Sequence, residues 1–248
     1  MKLLPNVNFE SLNSKLSSIE NNECRIEGRV ESYSCKMAGN DKKLYKMLNI
    51  DGETANDLQA LSPSQQSFYT QSGSPVIAGS GGFLAGQGQI CNTCSRKTLY
   101  YLVSTLNASF FPDYDFSDAK SDEFSQEPSV QFVKKAIESN LMPADPQFYI
   151  GMQQHLWQTI DNEITLTDCD IYSYNPDMNS DPYAEEGILW SFNYFFYNKK
   201  LKRIIFFSCR AVSKIASSGN YDADISEDMY IDDMEELPNS SSATVMSY

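Results

Sequence analysis

The chain has 248 residues, 41% of them hydrophobic, so it is long enough for one large domain or two small ones with a real core. Its formal net charge of −14 disfavours binding to a phosphate backbone, and no direct sequence-specific binding to nucleic acid is expected. The sequence has no run of about 18 apolar residues and no long apolar N-terminal core, so neither a membrane span nor a signal peptide is expected. The charge favours protein partners with basic surfaces.

A short helix is predicted near the N-terminus, where Asn8 can act as its cap. Its inner side carries Phe9, Leu12 and Leu16. The next stretch, ECRIEGRVESYS, alternates apolar and charged residues, which is typical of a strand with one buried face. Residues 40–94 are rich in Gly, Ser and Gln and have few apolar side chains, which predicts a mobile insertion and not a domain.

Three further helices are predicted after the insertion, because apolar residues recur there at helical spacing. The first follows Ser95, which can cap it, and the second begins near Pro128. The third spans Gln147 to about Asn162. A strand in LTDCDIYSYN and an acidic loop lead from it to the aromatic stretch GILWSFNYFFYNKKLKRIIFFSCR.

The aromatic stretch predicts an antiparallel hairpin, since two alternating runs are separated only by a short basic turn. A loop with an even number of residues places two sets of side chains on the same face of the sheet. The first strand supplies Phe196, Tyr194, Phe192 and Trp190, and the second supplies Leu201, Arg203, Ile205 and Phe207. Phe195, Ile204 and Phe206 then lie on the opposite face, so both faces are apolar. We therefore predict central strands that are covered on both sides.

The elements predict one α+β domain with a central antiparallel sheet of four to five strands and helices on both faces. This domain comprises 1–39 and 95–212. The mobile insertion, 40–94, is expected to be phosphoregulated. Residues 213–248 form a predicted disordered acidic tail, because eight acidic residues lie within 222–236 and no basic residue follows there.

Two loops resemble ligand-binding motifs, but each lacks residues that the motif requires. Gly81 and Gly86 have the spacing of a phosphate-binding P-loop, but Gln87 stands where its lysine is required. The loop DMNSDPYAEEGI starts like a calcium loop, but Pro182 replaces the turn glycine and Ile188 the closing glutamate. Neither loop predicts a cofactor or metal site.

Catalytic residues are not predicted, and we expect no enzymatic activity. Cys91 and Cys94 could supply half of a zinc site, but the sequence has no second pair. His155, the single histidine, is interpreted as a packing or surface residue. An esterase or phosphatase that uses His155 as its base remains an alternative hypothesis.

Short regulatory patterns are more frequent than catalytic ones. Ser62 and Ser74 each precede a proline within the predicted insertion, where a proline-directed kinase can bind an extended chain. Ser213 follows Arg210 by three residues, as a basic-directed kinase requires. The run KKLKR matches a short nuclear import signal, with Lys199, Lys200, Lys202 and Arg203 as its basic residues.

Three blocks of the sequence together resemble the Maf-type repressor of RNA polymerase III transcription. They lie at residues 25–39, 95–129 and 157–210, and contain the unusual runs ESYSCKMAG, PDYDFS and WSFNYFFYNK in the family's order. The resemblance implies a helix-flanked antiparallel sheet without enzymatic activity or cofactor. It also implies a negative regulator that binds the polymerase near its clamp and winged-helix subunits and blocks recruitment to promoter-bound TFIIIB.

In the family, phosphorylation of the insertion relieves repression and influences the distribution between nucleus and cytoplasm, so the resemblance implies protein kinases and phosphatases as further partners. By position this role falls on Ser62 and Ser74, although the insertion lacks the Arg-x-x-Ser sites of some relatives. Candidate partner contacts combine the acidic loop with the basic turn: Asp177, Asp181, Glu185, Glu186, Lys199, Lys200, Lys202 and Arg203. The alternative function is a small-molecule-sensing α/β domain that uses the aromatic face and gates a protein partner.

Overall fold

A computed structural model describes residues 1–37, 45, 57–64, 92–176 and 185–215. The described residues form four α-helices: α1 (Val7–Leu16), α2 (Arg96–Phe110), α3 (Val130–Leu141) and α4 (Pro146–Ile164). Two short 3₁₀-helices lie at Ser121–Glu123 and Leu166–Asp168. Within the described part of the chain, none of the helices has both the length and the hydrophobicity needed to cross a bilayer.

The described residues also form eight strands. They are β1 (Lys2–Leu4), β2 (Cys24–Ser34), β3 (Leu58–Ala60), β4 (Thr93–Ser95), β5 (Phe124–Gln126), β6 (Asp170–Tyr174), β7 (Ile188–Asn198) and β8 (Arg203–Ser213). Six of them make one sheet in the order β1-β2-β8-β7-β6-β5, with every neighbouring pair antiparallel. The predicted α+β class with a central antiparallel sheet is confirmed.

The sheet has six strands where four to five were predicted. The difference comes from the short strands β1 and β5, which have three residues each at the two edges of the sheet. A strand of three residues is too short to show a period-two pattern in the sequence. The predicted central position of the hairpin is confirmed, because β7 and β8 are the two middle strands.

Side-chain caps mark the first residues of α1 and α2. The cap of α2 is the predicted residue, whereas the cap of α1 is a different one. Ser95 Oγ accepts a hydrogen bond from the Thr98 N–H at 3.1 Å, which confirms the predicted cap of α2. The cap of α1 is Asn6 and not Asn8: Asn6 Oδ1 accepts from the N–H groups of Asn8 and Phe9. An N-cap must precede the helical residues, and Asn8 already lies inside α1.

The predicted side-chain parity of the hairpin is confirmed, except that Leu201 lies in the turn and is 47% exposed. A loop of four residues, Lys199–Lys202, joins β7 to β8, so Phe196 lies opposite Ile205 and Tyr194 opposite Phe207. The other parity, which includes Phe195 and Phe206, points to the second face. Every residue from Phe192 to Tyr197 is buried, so this part of the aromatic run is core and does not form an exposed recognition surface.

The two faces of the sheet are covered unequally. Helices α1, α3 and α4 pack on the first face, whose core includes Phe196, Ile205 and Phe207. Helix α2 and the β3–β4 pair cover the second face, whose core includes Phe195 and Phe206. At the end of this second face where β8 finishes, half-buried polar side chains of β2 and β8 replace the apolar ones.

The structure differs from the predicted insertion at two places. Leu58–Ala60 pairs with Thr93–Ser95, and Ser62 forms a parallel bridge with Ser125. The residues paired in this way are 33–37 apart between β3 and β4 and 63 apart in the bridge, so no local pattern in the sequence predicts them. Within the predicted insertion, 40–94, the structure describes Tyr45, 57–64 and 92–94, and the rest lies outside the described residues.

The first residues of the predicted tail belong to the described fold. Ser213 is the last residue of β8, and its N–H donates to the Gly187 carbonyl at 2.7 Å. The Lys214 N–H donates to the Glu23 carbonyl at 2.9 Å. Residues 216–248, with all eight acidic residues of the predicted tail, lie outside the described residues.

Candidate interaction site

The acidic loop and the basic turn do not form one surface. Glu185 and Glu186 precede β7, whereas Lys199 and Lys200 follow it. An eleven-residue strand separates them, which is about 36 Å at the usual rise of an extended chain. Asp177 and Asp181 lie outside the described residues. The described ones among the predicted contact residues therefore belong to two separate regions of the molecule.

The lysines of the basic turn lie on the surface, and two of them are paired. Lys199 Nζ lies 2.7 Å from Asp170 Oδ2, and Lys200 Nζ lies 3.0 Å from Asp168 Oδ2. Exposed pairs of this kind stabilise a fold by about 0–1 kcal/mol. Lys202 has a φ of 52° and makes no ion pair within the described part of the chain.

Arg203 binds Glu163 and so connects β8 to α4. Its Nη1 donates to Glu163 Oε1 at 2.5 Å and to the Glu163 carbonyl at 3.1 Å. The same carboxylate accepts from Asn6 Nδ2 at 3.1 Å and from Ser32 Oγ at 3.3 Å. Glu163 thus joins the end of α4 to β8, β2 and the cap of α1. Arg203 is part of this junction, and its side chain is only partly exposed.

The serines predicted as kinase sites differ in their surroundings. The half-buried Ser62 donates its N–H to the Phe124 carbonyl at 2.9 Å and its hydroxyl to the Asp122 carbonyl. Ser213 is half-buried at the end of β8. Ser74 lies outside the described residues. His155, the base of the alternative enzyme hypothesis, is exposed on α4.

A groove that the sequence analysis did not predict lies at the incompletely covered end of the second sheet face. We call it the arginine groove; its volume is 1010 Å³ and its principal side chains are Arg25, Glu27, Arg29, Phe110, Phe111, Tyr114, Glu185 and Arg210. β2 and β8 supply the charged floor, because β2 pairs with β8 along its whole length. The end of α2 and the loop after it supply the aromatic wall.

The charges on the floor of the arginine groove are linked through Glu27. Its carboxylate accepts from Arg210 Nε at 2.8 Å and from Arg25 Nη2 at 2.5 Å. Partial burial raises the pKa of the Glu27 carboxyl, but the hydrogen bonds and charges of the two arginines outweigh this effect, so the pKa is lowered overall. Glu27 therefore remains charged near neutral pH and orders both guanidinium groups.

Glu185 connects this floor to the aromatic wall. One of its oxygens accepts from Arg210 Nη1 at 3.3 Å, and the other accepts from the Tyr114 hydroxyl. Among the predicted acidic contacts that the structure describes, Glu185 is therefore the one that lines the arginine groove. Glu186 is exposed next to it.

Arg29 and Phe111 are the two groups in the arginine groove best suited to bind a partner. The Arg29 guanidinium lies 4.3 Å from the centre of the Phe110 ring. Its Nε lies 3.6 Å from Glu31 Oε2, and the side chain keeps 35% of its exposure. The Phe111 side chain is 81% exposed. Arginine and large aromatic residues are the types that dominate binding energy in protein interfaces.

The arginine groove has no evident catalytic chemistry. Across the described ranges, no cluster of His, Cys, Asp and Glu could hold a metal ion. Away from the groove, burial raises the pKa of the Cys35 thiol to about 12 and that of Cys94 to about 11, so neither is a ready nucleophile. The arrangement of exposed aromatic and paired charged groups is suited to binding.

The sequence contained one signal for the arginine groove. The alternation of Arg25, Glu27 and Arg29 marks the polar side of β2. It does not reveal that Arg210 of β8 lies beside this row, or that Phe110 and Phe111 close the groove from another element. These neighbours follow from the pairing of β2 with β8 and from the position of α2.

Comparisons with known proteins agree with this fold. Residues 26–208 match the family model described as Maf1 regulator. The repressor of RNA polymerase III transcription from Dictyostelium discoideum is 37% identical over 275 residues, which covers 96% of this chain and 93% of the relative. The repressor of RNA polymerase III transcription maf1 from Schizosaccharomyces pombe is 37% identical over 224 residues, covering 89% and 87%.

A solved structure shows the same architecture. The crystal structure of citrus MAF1 superimposes with a TM-score of 0.59 at 33% identity, and the match covers 84% of this chain and 99% of the citrus chain. The family match spans β2 to β8 and therefore includes the six-stranded sheet except for its first edge strand. On the family match, the two relatives and the shared fold, this chain belongs to the Maf1 regulator family.

Proposed function

We propose that this chain represses RNA polymerase III transcription by binding the polymerase and blocking its recruitment to promoter-bound TFIIIB. Relatives of similar length that carry the name of RNA polymerase III repressors support the repressor role. The observation that supports a binding mechanism is the arginine groove, which offers exposed aromatic and half-buried arginine side chains. The expected contacts on the polymerase are its clamp and winged-helix subunits.

The arginine groove fits a protein surface with carboxylate or carbonyl groups beside an apolar residue. The Arg29 side chain keeps 35% of its exposure, so a carboxylate or carbonyl of the partner can accept a hydrogen bond from the accessible part of its guanidinium. Phe111 loses exposed apolar area only when a partner covers it. A repressor seated in this way acts by occupying a surface of the polymerase that initiation requires, without chemical change to either protein.

Phe111→Ala tests the proposed contact. We expect it to weaken binding to purified polymerase III about 10–30-fold, because a central aromatic anchor contributes about 2 kcal/mol. Repression of TFIIIB-dependent initiation in vitro should decline in parallel. The free energy of unfolding should change by no more than about 0.5 kcal/mol, since the ring is exposed in the free protein.

Ile150→Ala is the matched control, because Ile150 is an exposed apolar residue on α4, away from the arginine groove. This variant should bind and repress like the parent chain. Unchanged binding in Phe111→Ala would exclude the groove as the contact. Absence of binding and of repression by the parent chain would exclude the proposed function itself.

We further propose that phosphorylation of Ser62 and Ser74 by a proline-directed kinase releases the polymerase and shifts the protein between nucleus and cytoplasm. Ser62 supports this proposal, because its hydroxyl is bound to the Asp122 carbonyl and its neighbour Ser64 donates to Glu127. A phosphate on Ser62 adds about −1.5 to −2 charges and removes the hydroxyl proton that is donated to the Asp122 carbonyl, so it would detach the segment from β5.

The double variant Ser62→Ala, Ser74→Ala should stay bound to polymerase III in growing cells, where the parent chain is released. Co-precipitation with the polymerase measures this retention, and imaging should find the variant enriched in the nucleus. Ser139→Ala, which alters an exposed serine on α3 that no proline follows, should behave like the parent. Equal release of the double variant and the parent would contradict phosphorylation control at these two serines.

A further inference from the structure

A second cavity, distinct from the arginine groove, lies where β8 begins. We call it the lysine pocket; its volume is 540 Å³ and its principal side chains are Lys36, Ser95, Lys97, Tyr101, Tyr197, Lys199 and Lys202. No acidic residue belongs to its described lining. The nearest paired carboxylate is Asp170, which binds Lys199 from outside the lining. Lys36, Lys97 and Lys202 make no ion pair with any residue that the structure describes.

The start of α2 adds positive charge to the lysine pocket. Ser95, Lys97 and Thr98 line the pocket at the N-terminal end of this 15-residue helix. The first turn carries Arg96 and Lys97 and no acidic residue. Basic residues at a helix N-terminus oppose the helix dipole, so a negative group in the pocket would be stabilising there.

Other charges reach the floor of the lysine pocket. Burial raises the pKa of the Cys35 thiol, and the N-terminal amine and Lys97 act in the opposite direction on it. The amine of Met1 therefore contributes to the positive potential beside Lys97. The chain has a net charge of −14, but the described lining of the lysine pocket contains lysines and no acidic residue. This local positive charge indicates an anionic ligand.

The chain itself contains a suitable anionic segment. Residues 222–236 hold eight of the 33 acidic residues, which leaves 25 acidic against 19 basic residues and a net charge of −6 for the rest. No lysine or arginine follows Lys214, so the segment carries no positive charge that would oppose binding. We propose that the lysine pocket binds the acidic segment 222–236 of the same chain through its carboxylates.

The length of the chain allows this contact. Ser213, at the end of β8, pairs with Cys24, whereas the lysine pocket lies at the opposite end, so about 36 Å separates them. Asp232 follows the last described residue, Ile215, by 17 positions, and an extended chain of that length reaches about 56–61 Å. A ligand tethered within reach acts at an effective concentration in the millimolar range.

The consequence is competition. While the acidic segment occupies the lysine pocket, another acidic peptide gains access only by displacing it. The contact is electrostatic between exposed lysines and carboxylates, so it weakens as salt screens the charges. Removing the carboxylates should free the pocket without altering the sheet, because no described carboxylate lines it.

Zero-length carbodiimide crosslinking of the full chain, followed by peptide mass spectrometry, tests the contact. We expect amide links between the segment and Lys36, Lys97 or Lys202, within the monomer, about tenfold more frequent than links to the control lysines Lys15 and Lys135. These links should disappear at about 1 M salt, where the Debye length is about 3 Å. Equal linking to Lys15 and Lys135, or links found only in crosslinked dimers, would overturn the proposal.

A second measurement uses the full chain with four neutral replacements: Asp232→Asn, Asp233→Asn, Glu235→Gln and Glu236→Gln. The backbone amide resonances of Thr98 and Tyr101 should shift relative to the parent. A control with Glu10→Gln and Asp118→Asn, which neutralises exposed acids elsewhere, should leave both resonances in place. Unchanged Thr98 and Tyr101 resonances in the tail variant would also overturn the proposal, and neither test depends on polymerase binding.

Discussion

Phe206→Ala should lower the free energy of unfolding by about 3–5 kcal/mol, the loss typical of a large side chain removed from a packed core. Phe206 is fully buried in the middle of β8. Its ring centre lies 4.8 Å from that of Phe195 and 6.2 Å from that of Phe110. The variant therefore leaves a cavity between the sheet and α2, which the rigid hairpin cannot close.

Urea or heat denaturation followed by circular dichroism measures this loss. Phe111→Ala serves as the matched control, since it removes the same side chain from an exposed position and should change stability by no more than about 0.5 kcal/mol. A loss below about 1 kcal/mol in Phe206→Ala would mean that α2 does not cover the second face of the sheet as described.

Glu163→Ala should cost about 2–3 kcal/mol of stability. The replacement removes the acceptor of Asn6 Nδ2 and Ser32 Oγ and the charged partner of Arg203, whose Nη1 keeps only the Glu163 carbonyl. Breaking a fully buried ion pair costs about 3–5 kcal/mol. The Arg203 and Glu163 side chains keep 32% and 22% of their exposure, so solvent compensates for part of that loss.

Denaturation of two further variants separates charge from hydrogen bonding. Glu163→Gln keeps an acceptor without the charge, so its stability should lie between those of the parent and Glu163→Ala. Lys200→Ala removes the exposed pair with Asp168 and should cost less than about 1 kcal/mol. Equal small losses in Glu163→Ala and Lys200→Ala would show that Arg203 is an ordinary surface residue.

The amino-acid sequence predicted the position of Phe206 but not the contacts of Glu163. Local patterns sufficed for the hairpin, because alternation and loop parity decide which side chains share a face. They sufficed for α2, since Ser95 stands at the cap position before apolar residues at helical spacing. They failed for β1 and β5, whose three residues are too few to carry a pattern.

The candidate contact residues illustrate the same limit. Lys199 and Arg203 are close in sequence and were assigned one role, yet Lys199 is on the surface and Arg203 is bound to Glu163. Glu185 was grouped with the basic turn and instead lies in the arginine groove beside Arg210. A one-dimensional pattern records neighbours along the chain, whereas a site depends on which strands are adjacent.

The amino-acid sequence alone determined the α+β class, the central hairpin with two buried faces, and the resemblance to the Maf1 regulator family. Only the tertiary structure decided that β2 pairs with β8 and that α2 covers just part of the second sheet face. Those two facts create the arginine groove and the lysine pocket from elements far apart in sequence. Periodicity encodes which face of an element is apolar, but long-range packing decides which elements meet and which polar groups remain uncovered.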